Sequence, residues 1–84
     1  EKFQTSDLLS NREKEVLICV VKGMTNKTIA NTLFLSTHTV ISHRRNISKK
    51  LEIHSTAGLT VYAIMNKLVE LQEINDIKDV DDFE

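Results

Sequence analysis

Residues 25–51 read TNKTIANTLFLSTHTVISHRRNISKKL, and this stretch decides the fold. Thr25 or Asn26 can cap a helix, its side-chain oxygen accepting from a backbone amide left free at the helix start. Ile29, Ala30 and Leu33 then form a buried stripe at helical spacing, so the helix is short and ends near Leu33. Phe34 and Leu35 fall in a turn. Ser36 caps a longer helix running to about Leu51. Two helices joined by so tight a turn form a helix-turn-helix, a unit whose second helix enters the DNA major groove.

The flanks extend the same architecture. Upstream, Ser10-Asn11-Arg12-Glu13 has the form of a capping box. Val16, Leu17, Val20 and Val21 give the helix that follows an apolar face, and Gly23 suits its left-handed end. Downstream, Ile53 lies in a connection and Ser55 caps a fourth helix reaching roughly Val69. Two glycines and no prolines leave few turn-formers for a β fold. The expected class is all-α: four helices with an acidic C-terminal tail. The expected divisions are a lead-in over 1–9, the helical body over 10–69 and the tail over 70–84.

A chain of 84 residues holds one domain with a thin core. Its net charge of −1 hides a split. Residues 10–69 carry nine basic and three acidic side chains, whereas residues 70–84 carry seven acidic ones against Lys78 alone. A basic body with an acidic tail fits a nucleic-acid partner better than the average charge suggests. The single cysteine, Cys19, excludes a disulfide within the chain and fits a reducing compartment such as the cytoplasm. No apolar run approaches the roughly 18 residues of a membrane span. The chain starts at Glu1 rather than methionine, which suggests a piece of a longer protein.

Helical residues advance by about 100° each, so with Val40 at zero Ile47 and Leu51 fall within about 20° and define a buried side of the third helix. His38, Ser42, Arg45 and Lys49 lead the opposite side, with Ile41 and Asn46 on its flanks. That face is polar and basic and holds no acidic residue. A face needed only for solubility usually mixes both signs, so contact with DNA is the favoured reading. Arg45 is the candidate base reader, since a planar guanidinium bonds two acceptors on guanine, with a phosphate contact as the alternative. Ser42, Ile41 and His38 are further base-edge candidates, although packing explains Ile41 equally well. Lys27, Lys49, Lys50 and Arg44 are candidate phosphate contacts, as are Thr25, Asn26, Ser36 and Thr39 at helix starts, where amides and the helix dipole favour an anion. For each lysine a solvated side chain is the bland alternative.

Other chemistries find little support. His38, His43 and His54 show no zinc-ligand spacing with each other or with Cys19. His43 reads as a packed, hydrogen-bonded structural residue and Cys19 as a small hydrophobe. No phosphate loop and no nucleophile beside a base is present, so no enzyme activity, cofactor or metal is expected.

The chain resembles the C-terminal effector domain of LuxR-type bacterial regulators, also called the GerE or NarL/FixJ type. The matching residues are Leu9-Ser10-Asn11-Arg12-Glu13-Lys14-Glu15-Val16-Leu17, Gly23-Met24-Thr25-Asn26-Lys27, Ile29-Ala30, Leu33, Leu35-Ser36, Thr39-Val40, His43, Asn46-Ile47 and Lys50-Leu51. The match covers roughly residues 9–69 without a gap through three helices. It implies a four-helix domain that reads DNA with its second and third helices and pairs with a mate through its fourth. Val61, Ile64, Met65 and Leu68 are the expected pairing residues, and that helix carries more apolar side chains than one buried stripe requires. The resemblance further implies sequence-specific binding of double-stranded DNA, a homodimer on DNA and RNA polymerase as a further partner. Three positions depart from the pattern: Ile41 replaces a usual lysine, Thr56 an arginine and Lys67 a glycine. The alternative function is a helical protein-interaction module without direct DNA binding.

In the tail, Leu68, Leu71, Ile74, Ile77, Val80 and Phe83 recur every third residue. That spacing drifts around an α-helix by about 60° per step, so the fourth helix is expected to extend only somewhat before the chain folds back or wanders.

Overall fold

The computed structural model describes residues 8–74. Four α-helices follow in order: α1 over Asn11–Val21, α2 over Asn26–Leu33, α3 over Thr37–Leu51 and α4 over Thr56–Met65. A single 3-10 turn over Leu71–Glu73 comes after them, and no strand occurs among the described residues. The described residues adopt the expected all-α class.

Every α-helix starts on a serine or threonine whose side chain accepts the amide three residues on. Ser10 accepts from Glu13, Thr25 from Thr28, Ser36 from Thr39 and Ser55 from Gly58. Thr25, not Asn26, is therefore the cap of α2. The capping box at Ser10 is complete: the Glu13 carboxylate accepts the Ser10 amide at 2.9 Å.

The helix ends are less uniform. Gly23, at φ 90°, closes α1 with its amide on Val20 O and the Met24 amide on Cys19 O. The other three ends place side chains in the same left-handed region: Phe34 at φ 61°, Glu52 at φ 57° and Lys67 at φ 61°. Each is disfavoured there by its Cβ. Phe34 is also 93% exposed, so no packing offsets its conformation.

α1 is the hub. It packs against α2, α3 and α4, while α2 also packs against α3. Val16, Leu17 and Val21 of α1 meet Ile29 of α2, Val40 and Ile47 of α3 and Ala63 of α4 in one core, with Cys19 at its edge. The thiol of Cys19 is pushed up in pKa by burial, opposed by the charge of Lys22 and assisted by that of Glu15. It behaves as the small hydrophobe expected of it.

The fourth helix is shorter than its sequence suggests. It stops at Met65, where Lys67 donates to Ile64 O and Leu68 to Ala63 O in a left-handed reversal. The reason lies in geometry. Continued as a helix, Val69 would project about 80–120° away from the buried Leu59 and Ala63. The reversal turns it into the core instead, where it is buried, as is Ile74 beyond the 3-10 turn. The body thus extends past the expected boundary at residue 69. Of the expected lead-in only Leu8 and Leu9 are described, and of the tail only residues 70–74; Ile77, Val80 and Phe83 lie outside the described residues.

Candidate nucleic-acid interface

The three-residue link Phe34-Leu35-Ser36 sets α3 across α2, with the Leu35 amide bonded to Ala30 O. Burying Val40 and Ile47 turns the opposite side of α3 outward. His38, Ile41, Arg45, Asn46 and Lys49 are exposed there, and Ser42 is half-buried. Ile41 retains 38% of its surface, so it is available for contact as well as packed along one edge.

This face lacks negative charge. No acidic residue occurs between Thr37 and Leu51, and neither Arg45 nor Lys49 has an acidic partner among the described residues. A concentration of cations without counter-charges suits a polyanion better than it suits folding stability.

The start of α2 is brought beside the middle of α3. Arg44 Nη1 donates to Asn26 Oδ1 at 2.7 Å, which ties the first turn of α2 to α3. The Thr25 hydroxyl accepts the Thr28 amide at 3.1 Å and donates to Thr28 Oγ1 at 3.0 Å. At the start of α3, the Ser36 hydroxyl accepts the Thr39 amide at 3.0 Å and donates to Thr39 Oγ1 at 2.9 Å. Each cap serves one amide and leaves other first-turn amides open to a phosphate oxygen.

Two candidate phosphate contacts have other partners. Arg44 is half-buried against Asn26, so part of its hydrogen-bonding capacity is already used within the fold. Lys50 Nζ lies 2.8 Å from Glu13 Oε1, a carboxylate that is itself buried. Burial raises the pKa of Glu13, but the hydrogen bonds from Lys50 and the Ser10 amide, with the charges of Lys50 and His43, outweigh it and hold the group below its usual range. This link went unseen in the sequence, yet a signal was there: Glu13 lies within about 40° of Leu17 and Val20 on the apolar side of α1. An acid on a buried stripe needs a partner.

His43 departs from expectation in one respect. Its ring is half-buried as anticipated, but Nδ1 is buried with no hydrogen-bond partner among the described residues. Of the four apolar residues expected to pair two chains, Val61 and Met65 face outward at 54% and 75% exposure. Ile64 of α4 and Leu68, which follows the reversal beyond α4, are half-buried and pack against the core. The outward apolar strip is therefore narrower than four residues.

A hollow of about 80 Å³ lies between α1, α3 and α4, lined by Arg44, Ser48, His54, Ser55 and apolar neighbours. It is small beside the roughly 300–1,000 Å³ of ordinary ligand pockets. Among the described residues no three of His, Cys, Asp and Glu stand together as metal ligands. No described helix is long and apolar enough to cross a membrane.

The sequence also has relatives among known proteins. Residues 7–63 match the model of the family described as bacterial regulatory proteins, luxR family. The chain is 50% identical over 63 residues to the uncharacterized response regulatory protein YgeK of Escherichia coli K12, covering 75% of this chain and 43% of that protein. It is 45% identical over 64 residues to the transcriptional regulatory protein MctR of Rhizobium johnstonii, covering 76% of this chain and 30% of that one. It is 45% identical over 69 residues to the oxygen regulatory protein NreC of Staphylococcus aureus, covering 79% of this chain and 32% of the relative. The chain thus spans less than half the length of each of these relatives.

Proposed function

The chain belongs to the luxR family of bacterial regulatory proteins, and from that premise we propose that it binds double-stranded DNA in a sequence-specific manner as the output domain of a transcriptional regulator. The observation that carries this reading is the exposed face of α3, cationic, free of acidic residues and set by the tight link to α2. In this reading α3 lies in the major groove. Arg45 reads a base edge, with Ser42, His38 and Ile41 beside it, the isoleucine suited to a thymine methyl. Lys27 and Lys49 meet phosphates, as do the open amides at the starts of α2 and α3 behind Thr25 and Ser36, with Asn26 and Thr39 beside them. Arg44 and Lys50 act mainly by holding α3 against α2 and α1, which the contacts with Asn26 and Glu13 support.

The DNA-binding unit is assigned to residues 10–69, with 70–74 packed on as an extension. In a longer regulator it is the part that reads the operator. Two copies pair on DNA through Val61 and Met65 of α4, RNA polymerase is a further partner, and the bacterial cytoplasm is the site of action. The family is one of DNA-binding regulators and not of enzymes. A protein-interaction module is the competing reading. Titration of a random-sequence duplex across a salt series separates the two, because counterion release makes DNA binding fall steeply as salt rises. An interaction insensitive to salt would favour the module.

A further inference from the structure

We infer that the acidic segment 75–84 docks on the exposed cationic face of α3 and competes there with phosphate. The inference rests on the DNA-binding reading and adds a means of regulating the same site.

Charge complementarity is the first support. Arg44 and Lys50 are engaged by Asn26 and Glu13, but Arg45 and Lys49 remain exposed without acidic partners among the described residues. Residues 75–84 hold Asp76, Asp79, Asp81, Asp82 and Glu84 against Lys78 alone. Over 8–74 the balance is reversed, with nine basic side chains to five acidic.

The point of attachment is the second support. Ile74 is 4% exposed and belongs to the same core as Val40 and Ile47 of α3, so the segment departs from a fixed place on the body. Ten residues reach up to about 33–36 Å when extended, and the molecule measures 37 × 35 × 19 Å. A short tether holds its charges at an effective concentration in the millimolar range. Opposite charges attract strongly within a Debye length of about 10 Å at 0.1 M salt. A contact of only millimolar intrinsic affinity is then occupied much of the time. The segment also lies beyond residue 63, where the family match ends, so it is additional to the matched DNA-binding region.

The test compares the 84-residue chain with the same chain carrying Asp76→Asn, Asp79→Asn, Asp81→Asn and Asp82→Asn. Without DNA, docking predicts that the NMR signals of Arg45 and Lys49 differ between the two proteins at about 50 mM salt and converge by about 200 mM. With duplex DNA at about 50 mM salt, the neutralised chain should bind about three- to tenfold tighter, the gap closing as salt rises. Identical Arg45 and Lys49 signals at low salt overturn the docking. Differing signals with equal DNA affinity overturn the competition. If neither chain binds any duplex, the DNA reading fails and the NMR comparison alone decides the docking.

Discussion

Lys50 Nζ sits 2.8 Å from Glu13 Oε1, joining the last turn of α3 to the first turn of α1. The same oxygen accepts the Ser10 amide at 2.9 Å. One carboxylate therefore completes a helix cap and fixes the far end of the helix proposed to read DNA.

The pairing has a pH signature. Because the folded pKa of Glu13 is lowered, its contribution is fully present above the unfolded value and is lost as pH falls through the folded one. Glu13→Gln should cost about 1 kcal/mol at neutral pH, the partial exposure of Lys50 limiting the value of the pair. Urea unfolding at pH 7 and pH 3 checks this. The gap between wild type and variant should narrow at the lower pH.

The end of α4 stores a different strain. Lys67 occupies φ 61°, where its Cβ is disfavoured. Lys67→Gly should stabilise by about 0.5–1 kcal/mol, the greater unfolded-state entropy of glycine offsetting part of the relief. Thermal unfolding should show a rise of a few degrees. Glu52→Gly, at φ 57°, should act in the same direction.

Gly58 should not tolerate alanine, although helix propensity alone favours the change by about 1 kcal/mol. An added Cβ would stand 2.7 Å from Ile53 Cγ2 and 3.1 Å from the Ser55 hydroxyl that caps α4. The isoleucine methyl is on a stiff, β-branched carbon and cannot swing away freely. A net loss of about 1 kcal/mol is expected from overpacking, measured by the denaturant midpoint.

On α4, Val61→Glu and Met65→Glu should leave the fold intact, since both side chains are exposed. Each should weaken binding to a duplex with two half-sites more than to one half-site. Sedimentation on both duplexes reads the difference, and equal effects would argue against pairing through this face.

Much of this architecture was legible because local chemistry marks it. The residues Ser10, Thr25, Ser36 and Ser55 announce four helix starts, and all four cap as the pattern requires. The buried side of α3 followed from the angles of Val40 and Ile47. The end of α4 did not, because Lys67 replaces the glycine that usually signals a left-handed reversal, and the apolar Val69 reads as more helix. The ties of Lys50 to Glu13 and Arg44 to Asn26 were also hidden. They span 37 and 18 residues, and which of several cations meets a given acceptor depends on how the helices cross.

The central claim is that α3 reads DNA, with Arg45 at a base edge. It is tested most directly by measuring the affinity of wild type, Arg45→Ala and Lys27→Ala for duplexes selected from a random library, across a salt series. The account predicts an enriched motif. Arg45→Ala should lose about 1–3 kcal/mol with relaxed preference at one base position, and Lys27→Ala should weaken all sequences alike with a salt slope reduced by about one. An unenriched library, or an Arg45→Ala variant unchanged in both affinity and preference, would contradict it.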